Sequence, residues 1–134
     1  MRKFLLVAAA WLSALMMMAR TPAGDRVEVM YFHGKQRCVT CLAIEKLARE
    51  VVETDFAQER KAGKVVWKVV DISTPAGQQL AKTYRVTWSS LLVNAWKDGK
   101  EKRSDLTRFA FKNARNRPSE LKRGLSEKIR EQLK

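Results

Sequence analysis

The apolar positions of this chain form β-like runs and helix-spaced stripes in alternation. Val27 to Phe32 (V-E-V-M-Y-F) is nearly continuous in apolar character, as a strand buried on both faces requires. From Val39 to about Ala62 the spacing predicts one long helix. Leu42, Ile44, Leu47, Ala48, Val51, Val52 and Phe56 fall on its apolar side, and Glu45, Lys46, Arg49, Glu50 and Glu53 on the other, with Gly63 as the stop. Lys64 to Ile72 (K-V-V-W-K-V-V-D-I) is rich in β-branched residues and reads as a second strand. Ser73-Thr74-Pro75 has the form of a helix start. A short helix is expected from about Pro75 to Tyr84, with Leu80, Ala81 and Tyr84 inward. Val86 to Trp96 is the third strand, and Asp98-Gly99 turns it into a short fourth strand around Glu101 to Arg103.

Beyond the hairpin, Ser104 or Asp105 can cap a helical turn with Leu106, Phe109, Ala110 and Asn113 on one side, although L-T-R-F-A-F also alternates like a strand. Pro118 opens a last helix to about Leu133, with Leu121, Leu125, Ile129 and Leu133 as an i, i+4 stripe. Gly124 in its middle costs about 1 kcal/mol relative to alanine. The order β-α-β-α-β-β-α(-α) predicts an α/β fold. A parallel β-α-β opening closed by an antiparallel hairpin makes a central sheet of about four strands with helices on both faces.

The first 23 residues stand apart. Arg2 and Lys3 precede sixteen uncharged residues, Phe4 to Ala19, and Thr21-Pro22-Ala23 offers a cleavage site. This is the pattern of a secretory signal peptide, or of an N-terminal membrane anchor if it is not cleaved. Residues 24–134 then form the domain, placed outside the cytoplasm (periplasmic or secreted), where disulfides persist. Removing residues 1–23 takes away three basic residues and no acid, which lowers the formal net charge from +13 to +10. A domain this basic suits an acidic protein or an anionic membrane surface. An exported protein rarely meets nucleic acid, so none is expected as a partner.

The only two cysteines, Cys38 and Cys41, sit at C-x-x-C spacing between the first strand and the long helix. Two cysteines are too few for a disulfide-stapled scaffold. A loop this short gains little from closure entropy, so stability alone is a poor reason for the pair. A thiol at a helix N-terminus has its thiolate stabilised by backbone N–H groups and the helix dipole, and Arg37 and Lys35 add positive charge. Cys38 is therefore the expected nucleophile, and Cys41, one turn deeper, the resolving thiol. His33, the only histidine, is a candidate proton shuttle. The competing reading is capture of copper or another soft metal by Cys38, Cys41 and His33. A four-ligand structural zinc site lacks its fourth residue, and Leu42 stands where covalent haem needs histidine.

With the cysteines placed on that order, the chain from about Val27 to Leu133 resembles the thioredoxin superfamily. F-H-G-K-Q-R-C-V-T-C, a Tyr before a W-S-S-L-L-V strand, and a D-G-K turn are similar to a group of small exported thioredoxin-like proteins labelled ArsF-type nitroreductase subunits. That label is not taken as a sign of nitroreductase activity. The resemblance implies a thioredoxin-like fold and disulfide exchange with other proteins through a transient mixed disulfide. It implies no cofactor beyond the redox-active Cys38–Cys41 pair. Three positions depart from the family. Arg37 replaces the tryptophan before the first cysteine. Ser89, or Trp88 or Ser90, stands at the place of the cis-proline. Tyr31 or Phe32 stands where an acid is buried. By the resemblance, Trp88, Ser89 and Ser90 form the segment that contacts substrate, and Glu45 is a candidate replacement for the missing acid. The stretch from Arg108 to Arg123 has six basic residues against Glu120 alone, a candidate docking surface beside the default of a solvated face. A non-catalytic thioredoxin-like docking module is the remaining alternative.

Overall fold

The computed structural model describes residues 24–134; the signal peptide or anchor expected over 1–23 lies outside the described residues. Its central element is β1 (Arg26–His33), hydrogen-bonded on both edges. β2 (Val65–Asp71) runs parallel to it, with Val27 opposite Val65 and Phe32 opposite Val70. β3 (Ser90–Lys97) runs antiparallel on the other edge, and β4 (Lys100–Asp105) completes the order β2-β1-β3-β4. Both faces of β1 are covered, as its nearly continuous apolar run anticipates.

On one face Val27, Val29 and Tyr31 join Val65, Leu91, Val93 and Ala95 in the larger core. That core is roofed by Ile44, Ala48, Val51 and Val52 and by α5 (Pro118–Leu133) through Leu121, Leu125 and Ile129. Side chains buried so completely contribute roughly 1.5–3 kcal/mol each. On the other face Met30, Phe32, Val70 and Leu92 lie under α3 (Pro75–Tyr84), with Ile72, Tyr84 and Val86 around them. The Tyr84 hydroxyl donates to Glu101 at 3.0 Å, and the Arg103 guanidinium lies 4.4 Å over its ring, which pins the end of α3 to β4. A β-α-β-α-β-β-α order on a mixed four-stranded sheet with helices on both faces is the thioredoxin-like fold. Among the described residues no helix is long and apolar enough to cross a membrane.

Several boundaries differ from expectation. The long helix is three pieces: α1 (Val39–Glu50), a π-helical stretch Val51–Asp55, and α2 (Ala57–Lys61) after a break at Phe56. The wider π turn lets Val51, Val52 and Phe56 all face the core. Leu42 and Leu80, expected inward, are exposed at 47% and 40%. Leu42 sits in the first turn of α1 beside the cysteines, and α3 meets the sheet through Gly77, Ala81 and Tyr84 instead. The third strand begins at Ser90 rather than Val86. Arg85 ends α3 in the left-handed region, and the Val86 N–H turns back to the Ala81 carbonyl. The hairpin turn at Asp98 and Gly99 is as expected, both residues having positive φ, and β4 runs longer than the three residues assigned to it.

The segment after β4 is helical, α4 (Thr107–Asn113), and Asp105 rather than Ser104 accepts the Thr107 N–H. Gly124 is explained by α4: a β-carbon there would run into the Phe109 ring. Gly77 is more tightly seated, because a β-carbon there would overlap the Asp71 backbone carbonyl at the end of β2. Gly77→Ala raises helix propensity by about 1 kcal/mol in isolation. Overpacking against a backbone atom is expected to reverse that and lower the unfolding free energy by about 1–3 kcal/mol in urea denaturation. A raised midpoint would show that α3 does not rest on that carbonyl.

Candidate active site

β1 delivers the chain to His33, and the turn from Gly34 to Arg37 carries it to the first turn of α1. Cys38 is the N-cap of α1: its extended backbone starts the helix, and its Sγ accepts the Cys41 N–H at 3.0 Å. The Cys38 carbonyl accepts the Leu42 N–H, also at 3.0 Å. Sulfur thus occupies the place that a Ser or Asp oxygen takes at ordinary N-caps. Cys38 and Cys41 are joined as a disulfide, with Cα atoms 5.0 Å apart. Cys38 is exposed, whereas Cys41 is buried at 6%. One sulfur is open to an incoming group and the other is shielded behind it.

Below Cys41 lies Tyr31, wholly buried, whose hydroxyl donates to the Cys41 carbonyl at 2.8 Å. Burial pushes the phenol above its ordinary value, the Ser89 hydroxyl and the Arg37 guanidinium oppose that, and Glu45 adds to it. Of the two positions the resemblance offered for a buried acid, Tyr31 and Phe32, it is Tyr31 that touches Cys41. The buried carboxylate of this chain is elsewhere. Glu28 lies on β1 five residues before His33, roughly 16 Å along the strand, and is paired with Arg26 and Lys68 at 2.8 and 3.2 Å. Arg37 and Glu45 form an ion pair across the first turns of α1. Glu45 is accordingly neither a free surface carboxylate nor an unpaired acceptor, and the charge of Arg37 is shared with it.

His33 is not brought to the sulfurs. Its Nδ1 lies 3.0 Å from the Gly34 carbonyl, its ring packs on Tyr31, and Asp71 is its register partner on β2. Hydrogen bonds from the Ser73 hydroxyl and N–H hold the Asp71 carboxyl below its usual range. Among the described residues no group of three or more His, Cys, Asp or Glu side chains is placed to hold a metal ion.

The segment before β3 does meet the cysteines. A groove of about 480 Å³ is lined by Cys38, Cys41, Ile72, Trp88, Ser89 and Phe111, among others. Ser89 is buried in its wall. Ser90 turns its hydroxyl onto the Trp88 carbonyl at 3.0 Å and begins β3, so it supports the segment rather than lining the groove. No cis peptide occurs among the described residues. Trp88 is 59% exposed and stacks on Phe111 at 5.2 Å between centroids, so it is a wall of the groove and not core. Val39 and Leu42 are also exposed beside Cys38, which gives the site an apolar rim. Sequence reasoning missed Phe111 and the Tyr31–Cys41 contact. Phe111 carried one signal: it lies off the apolar stripe of α4, on the side of Arg108 and Lys112.

Tyr31→Phe removes the hydroxyl under Cys41 without changing the ring. It is expected to lower stability by about 1 kcal/mol near neutral pH. Because the folded state raises the Tyr31 value, the neutral phenol is favoured by folding. That contribution is present below the unfolded value near 10 and is lost as pH rises through the folded one. The variant is therefore expected to lose less stability than the wild type above pH 10, the remaining alkaline slope coming in part from Tyr84, pushed up to about 12 chiefly by burial. Denaturation midpoints at pH 7 and pH 11 that shift equally in the two proteins would remove Tyr31 from this role.

No family model matches the chain, and no curated protein matches it. Solved structures do. A thioredoxin from Thermus thermophilus is 23% identical over 74% of this chain and 73% of its own, with a TM-score of 0.45. A Fasciola hepatica thioredoxin is 23% identical over 92% and 93%, with a TM-score of 0.44. Human ERp44 in its zinc-bound form is 19% identical over 81% of this chain but only 27% of its own length, with a TM-score of 0.49.

Proposed function

We propose that this protein is an exported thiol–disulfide oxidoreductase that exchanges disulfides with other proteins through Cys38 and Cys41. The observation that carries this reading is the asymmetry of the pair. An exposed sulfur caps the helix, a buried one lies behind it, and both open onto an apolar groove. In one direction a partner thiolate attacks the Cys38 sulfur, the Cys38–Cys41 bond breaks, and Cys41 leaves as thiolate. A second partner thiolate then attacks the partner sulfur of the mixed disulfide and expels Cys38. The partner gains a disulfide, and the pair takes up two electrons and, on protonation, two protons. The reverse sequence starts with the Cys38 thiolate and returns both electrons to a partner disulfide.

The backbone N–H of Cys41 is already aimed at the Cys38 sulfur, which supports a stabilised thiolate once the bond opens. Redox state is set by the partners, with no other cofactor. The uncharged run Phe4 to Ala19 supports export to the periplasm or exterior. The F-H-G-K-Q-R-C-V-T-C stretch supports membership of the ArsF-type group of exported thioredoxin-like proteins.

Titration of the purified protein in glutathione buffers, followed by alkylation and mass, is expected to show a reversible two-electron transition. In the reduced protein Cys38 should alkylate well ahead of Cys41 near neutral pH. Cys41→Ser is expected to accumulate a mixed disulfide on Cys38, and Cys38→Ser to accumulate none. A pair that stays oxidised, or two equally slow thiols, would defeat the oxidoreductase reading.

A further inference from the structure

The groove at the disulfide does not end at Trp88. Trp88 and Phe111 also line a second cleft, of about 630 Å³, whose other walls are Asp105, Thr107 and Arg108. Both volumes lie within the roughly 300–1,000 Å³ of ligand clefts. Sharing Trp88 and Phe111 as walls, the two clefts adjoin at the aromatic pair and together line one stretch of surface, the channel between the exposed Cys38 and α4.

The outer face of α4 decides what that channel fits. Arg108, Phe111, Lys112 and Arg115 recur at i, i+3, i+4 and i+7, one stripe of the helix and the turn that follows it. The opposite stripe, through Ala110 and Asn113, is buried. Among the described residues none of the three cations has a carboxylate partner, whereas Arg123 is held by Glu120 and Glu127, and Lys122 by Glu50. The one acid in the cleft, Asp105, already accepts the Thr107 N–H at the start of α4. The exposed Trp88, stacked on the half-buried Phe111, is thus set beside a run of unpaired positive charge and next to the exposed sulfur.

We propose that the channel selects protein segments that carry acidic side chains and an aromatic or large apolar residue close to their redox-active cysteine. The apolar side chain packs on Trp88 and Phe111, and the acids face Arg108, Lys112 and Arg115. This substrate class rests on the oxidoreductase reading above, and the test separates the two.

Non-covalent binding to the full chain is measured by fluorescence anisotropy of labelled nine-residue peptides. Serine replaces their cysteine, so no exchange can contribute. One peptide has a phenylalanine flanked by glutamates, a second has lysines in place of the glutamates, and a third has glutamates and alanine for the phenylalanine. The acidic aromatic peptide is expected to bind about tenfold more tightly than either of the others at low salt, with the margin over the lysine peptide shrinking as salt rises. Arg108→Glu with Lys112→Glu is expected to reverse the charge preference, and Arg108→Lys with Lys112→Arg to retain it. Equal affinities for the three peptides, or a preference unmoved by charge reversal, would overturn the proposal. So would a double variant that loses binding to phosphatidylglycerol vesicles while the wild type shows no peptide preference, since that marks a lipid-docking face. Glutathione equilibration of the wild type is run alongside and bears on the exchange reading alone.

Discussion

The two-sided burial of β1 is the constraint on which the remaining structure depends. A strand paired on both edges and covered on both faces has no freedom of register, because a one-residue slip would move every side chain to the opposite layer. With Val27, Val29 and Tyr31 committed to the larger core and Met30 and Phe32 to the smaller, the end of β1 is fixed at His33. The parallel neighbour on one edge then requires a crossover, and the crossover begins with the turn that holds Cys38. The disulfide is placed by the centre of the sheet. Tyr31 makes the link direct: its ring belongs to the core while its hydroxyl holds the Cys41 carbonyl.

That arrangement alters how the sulfur is activated. Arg37 and Lys35 both read as local sources of positive charge for a Cys38 thiolate. In the folded chain Arg37 is paired with Glu45, so much of its field at the sulfur is cancelled by an acid of the same helix. What is left is the backbone. An N–H at 3.0 Å and the N-terminal end of α1 act on the sulfur at short range and are not screened as an exposed lysine would be. A potential tuned by helix geometry is less exposed to salt and to substitution at the surface than one tuned by side-chain charge.

Much of the framework was legible because its signals are periodic or positional. The apolar run of β1, the Pro75 and Pro118 helix starts, the Asp98-Gly99 turn and the i, i+4 stripe of α5 all concern residues whose neighbours in sequence decide their state. The misses have a common cause, which is that they depend on which layer lies opposite. Leu42 has the right spacing for the core but projects beside the cysteines, and Leu80 sits on a helix that meets the sheet through other residues. Glu28 interrupts an apolar run yet is buried, because Arg26 and Lys68 close over it from neighbouring positions on the sheet. At the site, the C-x-x-C pair and the Trp88–Ser89 segment are readable, whereas the reach of His33 depends on the turn, which sets its ring against the Gly34 carbonyl instead. Phe111 carries only a faint signal of its own, since its place at the site comes from Trp88, more than twenty positions earlier.

The same reasoning separates the surfaces of the molecule. The last helix carries Arg123 and Lys122 within reach of Glu120, Glu127 and Glu50, and such exposed pairs contribute little beyond solvation. These belong to the ordinary charged face of an amphipathic helix. On α4 the cations are left unpaired among the described residues, and the residue between them is the half-buried Phe111, which stacks on the exposed Trp88. A surface serving only solubility would intersperse acids among these cations, as α5 does around Arg123. Charge pairing sets the two neighbouring helices apart: α5 balances its cations with acids, whereas α4, which borders the disulfide through Phe111, does not.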